Sequence, residues 1–430
     1  MKKIISLILV CVSILSCYSC NDTPTNPYTD TKTLGALKWK FKTNGRIYSS
    51  PTLENGVVYV GSEDKNLYAI EASSGAVKWT FATGGAVHST PAVYKDVVYV
   101  GSFDGYYYAI DAKTGKEKWK FKTEGEKHFG SLGYWGMQPA DMFMADPWDY
   151  FLSSPILDKN DADLTVYFGS SDGNLYALHA DDGTLKWNYK TQNVIHTTPV
   201  INNDLIYISS WDALHAINIK TKEEKWSFHT GDNIYMSGIQ STVAVDGGNV
   251  YLGTRDGVFF ALNAETGSKV WSDSLNNAWV IGSARIKNGH VYVGTSDSYL
   301  MLSLNASTGA EEFRFKANGY VFDRPFVTDK KIYFGDYTGK MFGVDISSAG
   351  KQWREFATES RNANAAQVLN NDYLDFQFLF KDKDQSLYSS TKEVMDEFDK
   401  LGPIISSPIV ENGVIYFGSA DGNLYSIILK

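Results

Sequence analysis

Cysteine is almost missing from this chain of 430 residues: Cys11, Cys17 and Cys20 are the whole supply, and all three precede residue 21. Everything after them must hold together without disulfides, which excludes a stapled secreted miniprotein. Positive charge is also short, with 40 Lys and Arg against 49 Asp and Glu and a net charge of −9. No basic stripe interrupts that acidic balance, so no nucleic-acid partner is expected. Proline numbers only 11, too few for a Pro-rich linker protein. The apolar run Ile4–Leu15 has 12 residues and is too short to span a bilayer. No H-E-x-x-H, P-loop or paired C-x-x-C arrangement occurs, so no metal cluster or phosphate cradle can be read from motifs.

What is present is apolar and aromatic. Some 43% of residues are hydrophobic, with 11 Trp, 27 Tyr, 23 Phe and 37 Gly. That is enough to bury a large core, and the Gly and aromatic content favours many short strands joined by tight turns. At the amino terminus, Lys2 and Lys3 followed by Ile4–Leu15 form the charged and apolar regions of an export signal, residues 1–16. The I-L-S-C ending at Cys17 resembles the lipobox of bacterial lipoproteins, which implies lipidation of Cys17, with Cys20 as the alternative. Residues 17–33 are polar and without period, and read as a flexible tether. An exported protein, lipid-anchored at the outer membrane and facing the periplasm or the surface, is the expectation.

One phrase then recurs. VVYVGSEDKNLYAIEASSGAVKW (57–79) returns as VVYVGSFDGYYYAIDAKTGKEKW (97–119), as TVYFGSSDGNLYALHADDGTLKW (165–187) and as LIYISSWDALHAINIKTKEEKW (205–226). Weaker copies start at Asn249, His290 and Lys331, and the last, VIYFGSADGNLYSIILK, runs from 414 to the end of the chain at 430. Each copy holds a buried strand, an S-x-D-G turn, an alternating strand, a T-G turn and a strand ending in an aromatic residue; a further strand opening with S-S-P precedes it. Four strands in about 40 residues is one propeller blade. The blade-docking anchors are Trp39, Trp79, Trp119, Trp187, Trp226, Trp271, Phe313 and Trp353. Trp39 precedes the first copy and the last copy has no anchor, so Leu37–Phe41 should supply the outer strand of the last blade. The fold class is all-β: an eight-bladed propeller over residues 34–430, closed by both termini.

The A-x-D-x-x-x-G-x-x-x-W pattern, seen as AIDAKTGKEKW at 109–119 and relaxed as ALNAETGSKVW at 261–271, resembles the pyrroloquinoline-quinone-type propeller repeat. With the lipoprotein signal, the chain resembles the subunit-B lipoprotein family of the outer-membrane β-barrel assembly machinery. That resemblance implies a non-catalytic protein-interaction scaffold without cofactor, its partners at the cell envelope. Quinone-dependent dehydrogenases share the repeat, but their cofactor site carries an adjacent cysteine pair and a calcium ligand set. Cysteines confined to the first 20 residues depart from that pattern.

The repeat is interrupted twice. The position of the G in VYVG falls at 61, 101, 169, 209, 253, 294, 335 and 418, leaving long gaps after 101 and after 335. The first insertion, about 124–150, is rich in aromatics, Met and Gly and should be an ordered loop. The second, about 358–402, contains SSTKEVMDEFDKLG, where Ser390 with Glu393 forms a capping-box pattern and Val394, Phe398 and Leu401 share a helical face. The rival reading makes DQSLYSS (384–390) a decayed ninth blade. Both insertions join an outer strand to the next inner strand, so they elaborate one rim.

Aligning the inner strands places Tyr48, His88, Leu152, His196, Gln240, Ile281, Phe322 and Ile405 in a ring at the channel mouth, with Trp279, Asp323 and Arg324 close by. His88 and His196 could contact a ligand or metal, although no third ligand stands at metal spacing and strand-end hydrogen bonding is the simpler role. Asp141, Asp146 and Asp149 could be paired carboxylates, but read more simply as turn formers. The Asp of each S-x-D-G turn repeats from blade to blade, which marks a structural group. A second functional class stays open: a glycan or small-molecule module at the mouth, with Trp135, Trp148 and Trp279 as stacking platforms.

Overall fold

The structure, a computed structural model, describes residues 32–161, 163–231, 238–275 and 278–430. The export signal and the lipidation cysteines lie outside the described residues. Among the described residues eight antiparallel blades of four strands follow one another along the chain, the seventh extended by one short parallel strand. In the first, Thr52–Glu54, Val57–Gly61, Asn66–Glu71 and Val77–Ala82 pair in sequence order from the axis outward. The alternation of the sequence explains the packing: the second strand of each blade is buried on both faces, whereas the outer strand alternates and shows one face to solvent. Gly35–Lys42 pairs with Asn423–Leu429 and completes the eighth blade, so the ring is closed by both termini. Closure leaves few unpaired edges. Among the described residues no helix is long and apolar enough to cross a membrane.

Adjacent blades are joined by the aromatic anchors. The indole N–H of Trp39 donates to the carbonyl of Ala72 at 3.0 Å, and Trp79, Trp119, Trp226 and Trp271 repeat the bond with Ala112, Ala180, Ala264 and Ala306 at 2.9–3.1 Å. The T-G turn is where the next blade receives the ring. Gly183 has φ +74°, and a Cβ there would stand 2.5 Å from the Trp119 ring. Gly56 has the same φ with nothing within 4 Å of a Cβ. Gly56→Ala should therefore cost only the left-handed backbone penalty, about 1–2 kcal/mol, whereas Gly183→Ala should lose about 1–3 kcal/mol more through overpacking. Chemical denaturation of the two variants checks this; equal losses would mean the indole does not need the glycine. The S-x-D-G aspartates are structural, as the repetition implied: Asp104 accepts the Tyr106 N–H at 3.0 Å and the Gly84 N–H of the preceding blade at 2.6 Å.

Three expectations need correction. Trp353 does not dock toward the last blade. The spacing from Asp345 to Trp353 is that of the other blades, but the β-bulge they carry just before the anchor is absent here, so Trp353 pairs with Val344 while Arg354 takes the place opposite Gly343. A one-residue slip turns a strand side chain to the other face, so Trp353 packs back on Phe315 and Phe342, and Leu34 fills the space on the other side. The tether ends earlier than residue 33, because Lys32–Thr33 runs as a parallel strand beside Arg354–Glu355. The second insertion holds three helices where one was expected: α1 (Glu359–Val368), α2 (Phe376–Phe380) and α3 (Tyr388–Asp399). Ser390 is buried inside α3 and does not cap it. Leu387 takes the cap position three residues earlier, where it bridges to Gln138 and the Tyr388 hydroxyl donates to the Ala145 carbonyl at 2.6 Å. Val394, Phe398 and Leu401 do share the buried face, and DQSLYSS forms a turn and the start of α3, so no ninth blade exists.

Candidate functional site

Antiparallel pairing puts every outer-to-inner connection and every S-x-D-G turn on one rim, and both insertions emerge there. They pack on each other: the Gln138 N–H donates to the Ser386 carbonyl at 2.8 Å and the Tyr388 N–H returns to the Gln138 carbonyl at 3.1 Å. In the first insertion, Gly130–Leu132 and Phe143–Ala145 form a hairpin around a helical turn at Tyr134–Gly136.

The segment after this hairpin, Asp146–Phe151, closes the channel. The eight ring residues do come together at the axis, but as a buried floor beneath this plug rather than an open mouth. The carbonyl of Tyr150 accepts from His88 Nδ1 at 2.9 Å, and that of Trp148 accepts from Gln240 Nε2 at 3.3 Å. His196 Nδ1 lies 2.9 Å from Asp149 Oδ1, and its Nε2 lies 2.8 Å from the Ser171 hydroxyl. Tyr48 packs against the Tyr150 ring at 5.2 Å, while Ile281, Phe322 and Ile405 share one apolar cluster with Trp148 and Tyr150. Loops that converge on an axis from eight blades can be bridged by a single strap, and the polar ring residues are spent on holding it.

Charge holds the strap as well. Arg255, in the T-R-D-G turn of the fifth blade, is fully buried, and its guanidinium meets the buried Asp146 carboxylate at 2.6 Å as a charge contact. Its other nitrogens donate to Gln240 Oε1 and the Tyr134 hydroxyl, both at 2.8 Å, and its plane lies 4.4 Å from the Trp279 ring and 5.2 Å from that of Trp211. Reading the sequence had passed over Arg255. The one signal for it is that this turn carries Arg where the sister turns carry Glu, Phe, Ser, Trp, Tyr or Ala. Asp149 accepts the Phe129 N–H at 2.8 Å as well as facing His196 and His128. Burial alone would raise its pKa, yet the His196 charge and the two histidine hydrogen bonds hold it well below the usual carboxylate range. Burial likewise opposes protonation of His196, but the Asp149 carboxylate outweighs it and raises the imidazole pKa. Asp146 and Asp149 thus both face basic side chains inside the plug, with burial pushing the Asp146 carboxyl up; Asp141 is exposed.

Beside the plug lies a cavity of about 370 Å³ walled by Trp135, Trp148, Trp279 and Phe376, with Asp297 and Gln385 at its edge. Trp148 is buried in this stack, whereas Trp135 is 37% exposed. Asp323 is buried, with Oδ2 accepting the Gly335 N–H at 2.7 Å, where four other blades use a Ser or Thr hydroxyl for the same bond. Arg324 points into the channel beyond the plug.

Comparison with known proteins follows the fold. The sequence matches the family described as "Outer membrane protein assembly factor BamB" over residues 30–133, 156–278 and 260–390. Residues 83–204 also match the β-propeller domain of glucose, ethanol and alcohol dehydrogenases. The outer membrane protein assembly factor BamB of Yersinia pestis is 25% identical over 230 residues, covering 48% of this chain and 58% of the relative. The quinohemoprotein alcohol dehydrogenase of Comamonas testosteroni is 27% identical over 158 residues, covering 32% of this chain and 22% of the relative. The chain therefore spans well under two thirds of either relative. The crystal structure of BamB from Moraxella catarrhalis superposes with a TM-score of 0.63 at 14% identity, covering 91% of this chain and 99% of that one.

Proposed function

This chain belongs to the propeller family described as outer membrane protein assembly factor BamB, and on that premise we propose that it is a non-catalytic, lipid-anchored scaffold of the cell envelope that docks proteins during outer-membrane protein assembly. The observation that carries this reading is where the apolar surface lies. Leu132 is 65% exposed and Phe143, its cross-strand partner, 58%, and Trp135, Met142, Phe378 and Leu387 are also exposed on the same two insertions. Exposed large apolar groups gathered on one face mark an interaction site. The two-stranded hairpin beneath Leu132 and Phe143 adds free strand edges, to which an extended partner segment can pair. The same face argues against quinone catalysis: the plug fills the axis at this rim, and the propeller contains no cysteine to build the paired-thiol site.

A specific observation favours a second reading, ligand binding. The aromatic cavity beside the plug combines flat rings with Asp297 and Gln385, the composition of a sugar or small-molecule platform. It lies off the axis, so Tyr48, His88, His196 and Gln240 are not its hydrogen-bonding set.

The full-length protein, purified gently from its own membranes beside an L132D/F143D variant, separates the two. Recovery of outer-membrane barrel-assembly proteins with the wild type, reduced at least tenfold in the variant at unchanged Tm, is expected. An empty purification, together with saturable quenching of tryptophan fluorescence by chitooligosaccharides, would overturn the scaffold in favour of the platform.

A further inference from the structure

Behind the plug the channel changes character. Two residues beyond the ring position, seven of the inner strands carry a hydroxyl, among them Ser50, Ser154, Thr198, Thr242, Ser283 and Ser407, around a cavity of about 310 Å³. Each of these six oxygens accepts a backbone N–H from the neighbouring blade at 2.9–3.3 Å. A hydroxyl whose lone pair is occupied in this way keeps its own proton to donate. The belt therefore presents O–H donors to the bore.

In the seventh blade the hydroxyl is replaced by Arg324. Its backbone N–H preserves the belt by donating to the Ser407 hydroxyl at 2.9 Å, and its Nε donates to the Ala284 carbonyl at 3.3 Å. Among the described residues no carboxylate forms an ion pair with it, and no Asp or Glu lines the cavity. Asp323, next to it in the chain, is turned away to the Gly335 N–H. Arg324 is exposed to the bore, yet the protein crowded around its head, with the Arg285 charge added, lowers its pKa to about 10, which leaves it cationic at neutral pH.

We propose that this channel binds a small oxyanion, phosphate- or carboxylate-bearing, between the Arg324 guanidinium and the belt hydroxyls. A guanidinium offers a planar pair of N–H groups to two oxygens of such a group, and the belt supplies donors for the rest. The plug closes one end, so entry is from the face opposite the insertions. The site is independent of the scaffold reading.

The test is calorimetric titration of the full chain with inorganic phosphate and, separately, with acetate, at matched ionic strength in chloride. Arg324→Ser, which restores the residue type of the other blades and should fold as well as the wild type, is the main variant, and Arg324→Gln is the second. Saturable binding of at least one anion, weakened tenfold or more in both variants at unchanged Tm without anion, is expected, and the anion preferred tells phosphate from carboxylate ligands. Failure of both anions to bind the wild type, or equal binding to Arg324→Ser, would overturn the proposal.

Discussion

Replacing Arg255 with alanine is expected to lower stability by about 3–5 kcal/mol, the cost of breaking a buried ion pair from one side. The loss comes mainly from what remains. Asp146 would stay fully buried with its carboxylate uncompensated, and the Tyr134 hydroxyl and Gln240 Oε1 would each lose a donor. The guanidinium also fills the space between the Trp279 and Trp211 rings, so truncation opens a cavity where the first insertion rests on the fifth blade. Arg255→Lys should recover only part of the loss, because an ammonium cannot reach three acceptors in a plane. The double variant R255M/D146N removes both charges yet keeps an acceptor for the Trp148 N–H, and it should be more stable than R255A alone. Denaturation midpoints measure these differences, and limited proteolysis within residues 124–150 reports whether the strap has come off. A loss below about 1 kcal/mol for R255A, with the insertion still protected, would show that apolar packing alone seats the plug.

The second large effect is set by protonation of the other strap pair. The Asp149 pKa is depressed in the folded protein, so its stabilisation is present above the unfolded carboxylate value, about 3.9, and is lost as pH falls through the lower folded value. The His196 pKa is raised, so its contribution is complete below the unfolded imidazole value, about 6.5, and is lost as pH rises through the folded value. The pair thus favours the plugged state most between roughly pH 4 and 6.5, with stability declining on both sides. Asp149→Asn keeps the shape and the Phe129 bond but leaves His196 without its counter-ion, and should cost about 3 kcal/mol within that window. It should also flatten the decline above pH 6.5. His196→Gln should flatten the same limb and weaken the acid limb as well, because His196 is the main group that holds the Asp149 carboxyl down against burial. Denaturation midpoints across pH 3–9 check this; an unchanged profile in both variants would remove the pair from the mechanism that holds the plug.

The residues that dominate these predictions differ in how visible they are in the sequence, Arg255 being marked only by its place in a repeated turn. Asp146 and Asp149 stood out as carboxylates in an insertion, but their sequence neighbours, Pro147 and Trp148, suggested turns. Their partners lie far along the chain. Gln240 is 92 residues from Trp148, Arg255 is 121 from Tyr134, and Tyr337 is 187 from Tyr150. Contacts at such separations leave no period and no spacing to read. Trp353 shows the opposite failure: its repeat pattern was legible, but the absence of the β-bulge that precedes the anchor in the other blades reversed the face on which it landed.

The sequence by itself determined the blade, its eightfold repetition, the closure by Gly35–Lys42 and the rim on which the insertions stand. Those features are local, since each blade forms from about 40 consecutive residues whose alternation, turns and Trp–Gly contacts recur. Only the tertiary structure decided that the ring at the axis is covered, which charges seat the cover, and that a single arginine faces a bore of hydroxyls beneath it. Those outcomes depend on eight blades meeting at one axis, where side chains distant in sequence become neighbours through closure of the ring.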